Sequence, residues 1–157
     1  MKRYSFTLIM ILLAVQGLMA GSKSDEKAVQ DAAAGFYRAL NEMFMGDLTS
    51  MKQVWSHAED VTYMGPTGGM QVGWNQALAN WESQAALKMG GKVWPEEMKI
   101  SVGRDIAITS NYEKGENLTV DGKKQTVSIR ATNVFRKENG QWKMIAHHTD
   151  VLPFLAK

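Results

Sequence analysis

His148 and Asp150 stand two residues apart near the C-terminus, in a segment of alternating apolar and polar residues. Alternate residues of a β-strand point to the same side, about 7 Å apart along the strand. Histidine exchanges a proton near neutral pH, and a carboxylate can orient it or act as the base. The pair predicts acid–base catalysis, and polar contacts at a strand end are the alternative. His147 points the other way and is expected at an interface or on the surface.

Two more side chains are candidates for the same chemistry. Arg130 lies in a largely apolar segment, where it could bind a substrate carboxylate, stabilise an oxyanion or pair internally with Asp150 or Glu113. Tyr63 lies in a predicted strand just before a glycine-rich turn; its hydroxyl could donate to a developing oxyanion, or the side chain could simply pack in the core. The predicted catalytic group is therefore His148, Asp150, Arg130 and Tyr63.

Large side chains surround the glycine-rich turn at 65–69 and suit a flat apolar ligand. The predicted ligand-binding residues are Trp74, Trp81 and Met64, with ordinary core packing as the alternative, especially for Trp81. Methionine adapts its shape to an irregular cavity. No tight group of metal ligands, phosphate-binding loop or serine elbow occurs, so neither a metal nor a cofactor is expected.

The elements that must position these residues follow from apolar periodicity. Spacings of three and four from Val29 to Met43 predict a helix that ends at Gly46. A short second helix, a strand at 60–64 and a third helix at about 75–89 follow. Period-two alternation then predicts four strands, at 93–102, 105–115, 125–137 and 141–151. Helices followed by an antiparallel meander indicate an α+β fold with the helices on one face of a curved sheet.

Composition narrows the function classes. The 157 residues include 18 basic and 16 acidic side chains. Without Lys2 and Arg3 the charges balance, which excludes the basic surface typical of proteins that bind nucleic acid or anionic lipid. The absence of cysteine excludes disulfides and thiolate chemistry.

The N-terminus has the pattern of a secretory signal. A basic start is followed by an apolar run at 6–15 and by small residues that allow cleavage after Ala20. We therefore expect a signal peptide at 1–20 and a periplasmic or secreted protein that has no membrane contact after cleavage. An uncleaved anchor is the alternative, although the run is short for a membrane span.

The segment from Arg130 to Asp150 resembles the closing hairpin of SnoaL-like proteins in the nuclear transport factor 2-like superfamily: Arg-x-Thr, a charged turn with glycine, a tryptophan and a histidine-rich last strand. The Phe36-Tyr37 pair and the Gly65-Pro66 turn also match, and the resemblance covers 26–152 as a single domain. It implies a cystatin-like cone, in which a curved antiparallel sheet wraps around the N-terminal helices and leaves a pocket. His148 matches the family's final-strand histidine, and many members form homodimers through the outer sheet face.

These observations predict a small-molecule pocket protein for an apolar or aromatic ligand. The candidate residues suit lyase or isomerase chemistry by acid–base catalysis. The alternative is a non-catalytic binding or oligomerisation module whose polar cluster is structural. The expected partners are a small-molecule ligand and a second copy of the chain.

Overall fold

The structure, a computed structural model, describes residues 22–119, 121–153 and 155. The predicted signal peptide at 1–20 lies outside these residues. The first helix, α1, spans Lys23–Phe44. It begins at Ser22, whose hydroxyl accepts the backbone N–H of Asp25 at 3.1 Å while the Asp25 carboxylate reaches back to the cap. It ends before Gly46, which adopts a φ of 96° that glycine tolerates best.

Two shorter helices complete the helical layer. Helix α2 spans Thr49–Val54, and α3 spans Trp74–Ala86. Helix α3 is three residues shorter at its C-terminal end than the sequence predicts. The chain turns after it through Gly90 and Gly91, both with positive φ. The largest fully buried side chains, on the helices and on the segments packed against them, are aromatic residues and methionines: Phe36, Met43, Met51, Trp55, Trp81, Phe135 and Met144.

The six strands form one curved sheet. Their bounds are β1 Thr62–Met64, β2 Gln71–Val72, β3 Lys92–Val102, β4 Ile106–Leu118, β5 Lys124–Glu138 and β6 Gln141–Thr149. The order across the sheet is β2-β1-β6-β5-β4-β3. All neighbours are antiparallel except β1 and β6, which run parallel with Thr62 beside Ala146. The sequence did not predict β2, a two-residue strand too short to show alternation.

Strand β6 carries an irregularity that decides which side chains face inward. Val134 of β5 pairs with Ala146, but the next residue, Phe135, pairs with Met144, so β6 contains one extra residue. A bulge of this kind shifts the alternation of the strand by one position. Trp142 and Met144 are therefore buried before the bulge, whereas His147 and Thr149 are buried after it.

The helices pack against the concave face of the sheet, and together they form one apolar core. The predicted α+β fold, with N-terminal helices inside a curved sheet that does not close, is confirmed. Among the described helices, none is both long enough and apolar enough to cross a membrane.

Candidate active site inside the cone

A cavity lies between α1 and the concave face of the sheet. Its volume is about 20 Å³, which is room for one water molecule. We call it the cone cavity. Its apolar lining comes from Leu40, Phe44, Pro66, Met89, Val93, Val127, Ile129, Leu152 and Leu155. Its polar lining comes from Tyr63, Gln84, Glu113, Asn117 and His147.

Glu113 is the carboxyl group of this cavity. It points inward from β4 and is only 3% exposed. Burial penalises its charged form and raises its pKa from 4.5 to about 7, although a hydrogen bond from Tyr37 opposes this shift. At neutral pH the carboxyl group is therefore present in both protonation states. A group of this kind can both accept and return a proton.

Tyr37 connects α1 to this carboxyl group. Its hydroxyl donates to Glu113 Oε1 at 3.1 Å and accepts from Asn111 Nδ2 at 2.8 Å. Burial and the nearby Glu113 charge raise the pKa of Tyr37 well above its ordinary value. The phenol consequently stays protonated and holds the carboxyl group in one orientation.

His147 faces Glu113 from β6. Its Nδ1 lies 2.6 Å from Asn133 Oδ1, and Asn133 Nδ2 donates to Thr109 Oγ1 at 3.0 Å. Assigned from this network, Nδ1 carries the proton and Nε2 has a free lone pair. Burial lowers the pKa of His147 to about 3, so the ring is neutral at physiological pH. The 3.8 Å approach of Nε2 to Glu113 Oε1 therefore joins a neutral imidazole and a carboxyl group and is not an ion pair.

Tyr63 lies on β1, directly beside His147, and the two rings stack at 5.6 Å. Its hydroxyl accepts from Gln84 Nε2 at 3.1 Å, and no described residue accepts the Tyr63 proton. Burial raises its pKa to about 12. Gly65 makes this position possible, because a Cβ atom there would overlap the Tyr63 hydroxyl. Tyr63 is thus a protonated donor with a free hydrogen.

The structure separates the predicted catalytic group. Tyr63 lies in the cone, but His148, Asp150 and Arg130 meet on the outer face of the sheet around a shallow groove of about 240 Å³. Arg130 donates to Asp150 through Nε at 2.9 Å and through Nη2 at 2.8 Å. This pairing lowers the pKa of Asp150 to about 2, so its carboxylate remains ionised.

The predicted orientation of the two histidines was wrong. Counting by twos from Trp142 places His148 inside, but the β6 bulge reverses the pattern and buries His147 instead. His148 and Asp150 do share one side of the strand end, as predicted, but that side is the outer one. A catalytic role for the outer group stays a prediction.

The predicted ligand-binding residues do not line the cone cavity. Trp81 is 1% exposed and packs edge-on against Tyr63 with ring centres 5.5 Å apart. Trp74 is half-buried and stacks on His57 at 3.9 Å. Met64 is half-buried on β1 and pairs with the outward-facing His148. Trp81 therefore supports the cavity through Tyr63, and binding by any of the three stays a prediction.

The sequence reasoning missed Tyr37 as a site residue and treated Glu113 only as an ion-pair partner for Arg130. The signal for both is weak. Glu113 belongs to a run of buried alternate residues in β4, Thr109, Asn111 and Glu113, that are all polar. Three polar residues at period two would ordinarily be placed on the solvent face.

Within the described residues, no cluster of three or more His, Asp or Glu side chains could hold a metal ion.

Comparison with known proteins agrees with this architecture. Residues 29–152 match the model of the SnoaL-like domain. The chain is 25% identical over 105 residues to the F-box protein SKIP8 of Arabidopsis thaliana. The matched segment covers 67% of this chain but only 42% of that protein.

Solved structures show the same fold. One is a candidate dehydratase of the nuclear transport factor 2-like family from Streptomyces avermitilis, with a TM-score of 0.74 and 21% identity over 85% of this chain and 99% of that one. Another is a candidate calcium/calmodulin-dependent protein kinase type II association domain from Thiobacillus denitrificans, with a TM-score of 0.62 and 24% identity over 78% of this chain and 94% of that one.

Proposed function

The chain belongs to the SnoaL-like domain family, and from that premise we propose that it binds a small, uncharged, largely apolar molecule in the cone and moves a proton on it. The observation that supports this most is Glu113, a buried carboxyl group whose pKa is raised to about 7 in a mostly apolar cavity. Strongly shifted groups in a cavity are typical of acid–base sites. A lyase or isomerase reaction is also compatible with the structural similarity to a candidate dehydratase.

The ligand's charge follows from the lining. No lysine or arginine lines the cone cavity among the described residues, and His147 is neutral. A ligand carboxylate or phosphate would therefore lose its hydration without gaining a counter-ion. The cavity holds only about one water molecule as it stands, so a ligand must displace flexible lining side chains such as Met89.

The proposed proton transfer assigns one task to each polar group. Glu113, when ionised, takes a proton from a carbon beside a ligand carbonyl, and the C–H electron pair moves to the carbonyl oxygen as an enolate. Tyr63 donates its free hydrogen to that oxygen. If the ligand has a double bond conjugated with this enolate, protonated Glu113 returns the proton to the far end of that system, and the double bond moves. If the ligand carries a hydroxyl on the β-carbon, the enolate electrons form a new double bond and expel that hydroxyl, which takes the proton from Glu113 and leaves as water. Tyr37 holds Glu113 in place through its hydrogen bond.

A test needs no knowledge of the natural ligand. Cyclohexanone in D2O exchanges its α-hydrogens for deuterium, and NMR measures the rate. We expect the protein to accelerate this exchange as pH rises through about 7, where Glu113 becomes a base. Glu113→Gln should reduce the acceleration at least ~100-fold. Glu116→Gln, at an exposed position of the same strand, is the matched control. Exchange at the same rate in Glu113→Gln and in the unchanged protein would rule out this role.

A non-catalytic binding or oligomerisation module is the second candidate. The observation that favours it is the small cavity, in which Tyr37, Asn133 and His147 already bond to described neighbours. The kinase association-domain neighbour has the same fold. A folded protein that does not accelerate the deuterium exchange of cyclohexanone would favour this candidate.

We also propose that the protein is a homodimer and is exported. The outer face of β4 exposes a row of apolar side chains at Ile106, Ile108 and Tyr112, each more than 40% exposed. An apolar row on a regular sheet face suits contact with a second copy.

Export rests on the pattern of residues 1–20 alone, and N-terminal sequencing of the mature protein tests it.

A further inference from the structure

A second hollow lies outside the cone, between the turn at 65–69 and helix α3. We call it the turn groove. It is an open depression of about 590 Å³. Its lining side chains are Thr67, Gln71, Asn80, Ser83, Gln84 and Leu87. Gln84 lines both the turn groove and the cone cavity, and its carboxamide lies between Tyr63 on the cone side and Asn80 on the groove side.

The chemistry of the turn groove differs from that of the cone cavity. Five of its six side chains carry a hydroxyl or an amide, and none of them is charged. Such groups hydrogen-bond to other hydroxyls and amides but offer no counter-ion to a charged ligand. The groove therefore fits an uncharged, hydrogen-bonding chemical group.

The hydrogen bonds at the wall point to the same kind of ligand. Gln71 Oε1 is shielded from solvent and accepts no hydrogen bond from the described residues. A shielded acceptor without a donor is rare in folded proteins, and it would gain from a ligand O–H or N–H once the half-buried Gln71 side chain rotates toward the groove. Gln84 Nε2 donates both to Tyr63 in the cone and to Asn80 Oδ1 in the groove. One carboxamide thus connects the phenol of the proposed site to the polar surface outside.

We propose that the turn groove binds the uncharged, hydroxyl- or amide-bearing part of a ligand whose apolar part enters the cone cavity, with Gln84 contacting both parts. This inference rests on the proposed function, because it requires a ligand in the cone. It adds a second subsite and a ligand class, an apolar body joined to a neutral polar group.

The test compares three probes by isothermal titration calorimetry at pH 6.5: 2-naphthol, its β-D-glucopyranoside and its phosphate ester. We expect the glucoside to bind about tenfold more tightly than naphthol, since one or two added hydrogen bonds are of that size. The phosphate should bind more weakly than either. Ser83→Phe fills the groove from an exposed helical position and should remove the glucoside's advantage while leaving naphthol binding unchanged.

Two further variants sharpen the result. Asn75→Phe places the same ring at another exposed position of α3, outside the groove, and should keep the full advantage. Asn80→Leu keeps the branched shape of the side chain, removes the amide and should reduce the advantage. Circular dichroism confirms that each variant folds.

The possible failures are distinguishable. Two outcomes overturn the groove inference but leave the proposed function standing. In the first, naphthol binds and the glucoside binds no more tightly. In the second, the glucoside binds more tightly, but Ser83→Phe does not remove this advantage. No binding of naphthol overturns both.

Discussion

Replacing Glu113 by glutamine should change how the stability of the protein depends on pH. The pKa of Glu113 rises from 4.5 to about 7 on folding because burial penalises its charge. A raised pKa means that the folded state binds the proton more tightly than the unfolded state. The stabilisation is complete below about pH 4.5 and is lost as the pH rises through about 7.

The size of this effect follows from the shift. A difference of about 2.5 pKa units, 7 − 4.5, at about 1.4 kcal/mol per unit, amounts to about 3 kcal/mol. Glutamine is close in shape, does not ionise, and keeps an oxygen that can accept the hydrogen bond from Tyr37. The free energy of unfolding of Glu113→Gln, relative to that of the unchanged protein, should therefore rise by about 3 kcal/mol between pH 4.5 and pH 8.

The assay is urea denaturation of both proteins at several pH values. The quantity compared is the difference between their free energies of unfolding at each pH. The difference matters because His147 acts in the opposite direction. Its pKa falls from 6.5 to about 3 on folding, so its contribution is lost as the pH drops below about 6.5. His147 is present in both proteins, so its own contribution drops out of the difference, and only the part that depends on its 3.8 Å approach to Glu113 remains.

Two results would refute the reasoning. A stability difference that stays constant within about 1 kcal/mol across this pH range would mean that Glu113 titrates alike in the folded and unfolded states. An equal pH-dependent gain in Glu116→Gln, an exposed position of the same strand, would mean that burial is not the cause. Direct titration of the carboxyl carbon by NMR provides an independent reading of the pKa.

Two further predictions concern positioning and assembly. Gly65→Ala should destabilise the protein by roughly 1–3 kcal/mol, because the new methyl group overlaps the Tyr63 hydroxyl; urea denaturation measures this, and a neutral effect would show that Tyr63 moves freely. Ile108→Lys should turn the proposed dimer into a monomer by light scattering, because it puts a charge in the exposed apolar row; a dimer that persists would place the interface elsewhere.

Local patterns predicted the elements well. The spacing of apolar residues located the four long strands and the end of α1 within a few residues of their observed bounds, because these elements are long enough to repeat their period. The helix begins at Lys23, six residues before the apolar pattern starts at Val29, because its first turns are polar and capped by Ser22. The two-residue strand β2 has no period to detect. Helix α3 ended early because the last predicted turn instead leads into Gly90 and Gly91.

The candidate site was harder to predict because two strands depart from the usual rules. In β6 a single extra residue exchanges the faces of His147 and His148, and nothing in the sequence marks its position. In β4 the buried face is polar at Asn111 and Glu113, whereas the outer face carries Ile108. The alternation of apolar and polar residues alone would place Ile108 inside and Glu113 outside, which is the reverse of the observed orientation. Tyr63 was found because an aromatic residue next to a glycine-rich turn gives a local signal.

The parallel pairing of β1 with β6 has a consequence for how the chain folds during synthesis. Apart from the two-residue strand β2, the only strand that β1 pairs with among the described residues is β6, where Thr62 lies beside Ala146. Contacts between distant parts of a chain form slowly, and domains complete their folding only when all of their strands have been made. A nascent chain that still lacks β6 therefore has no strand to join β1 and β2 to the rest of the sheet, and its aromatic core remains accessible to chaperones until β6 has been made.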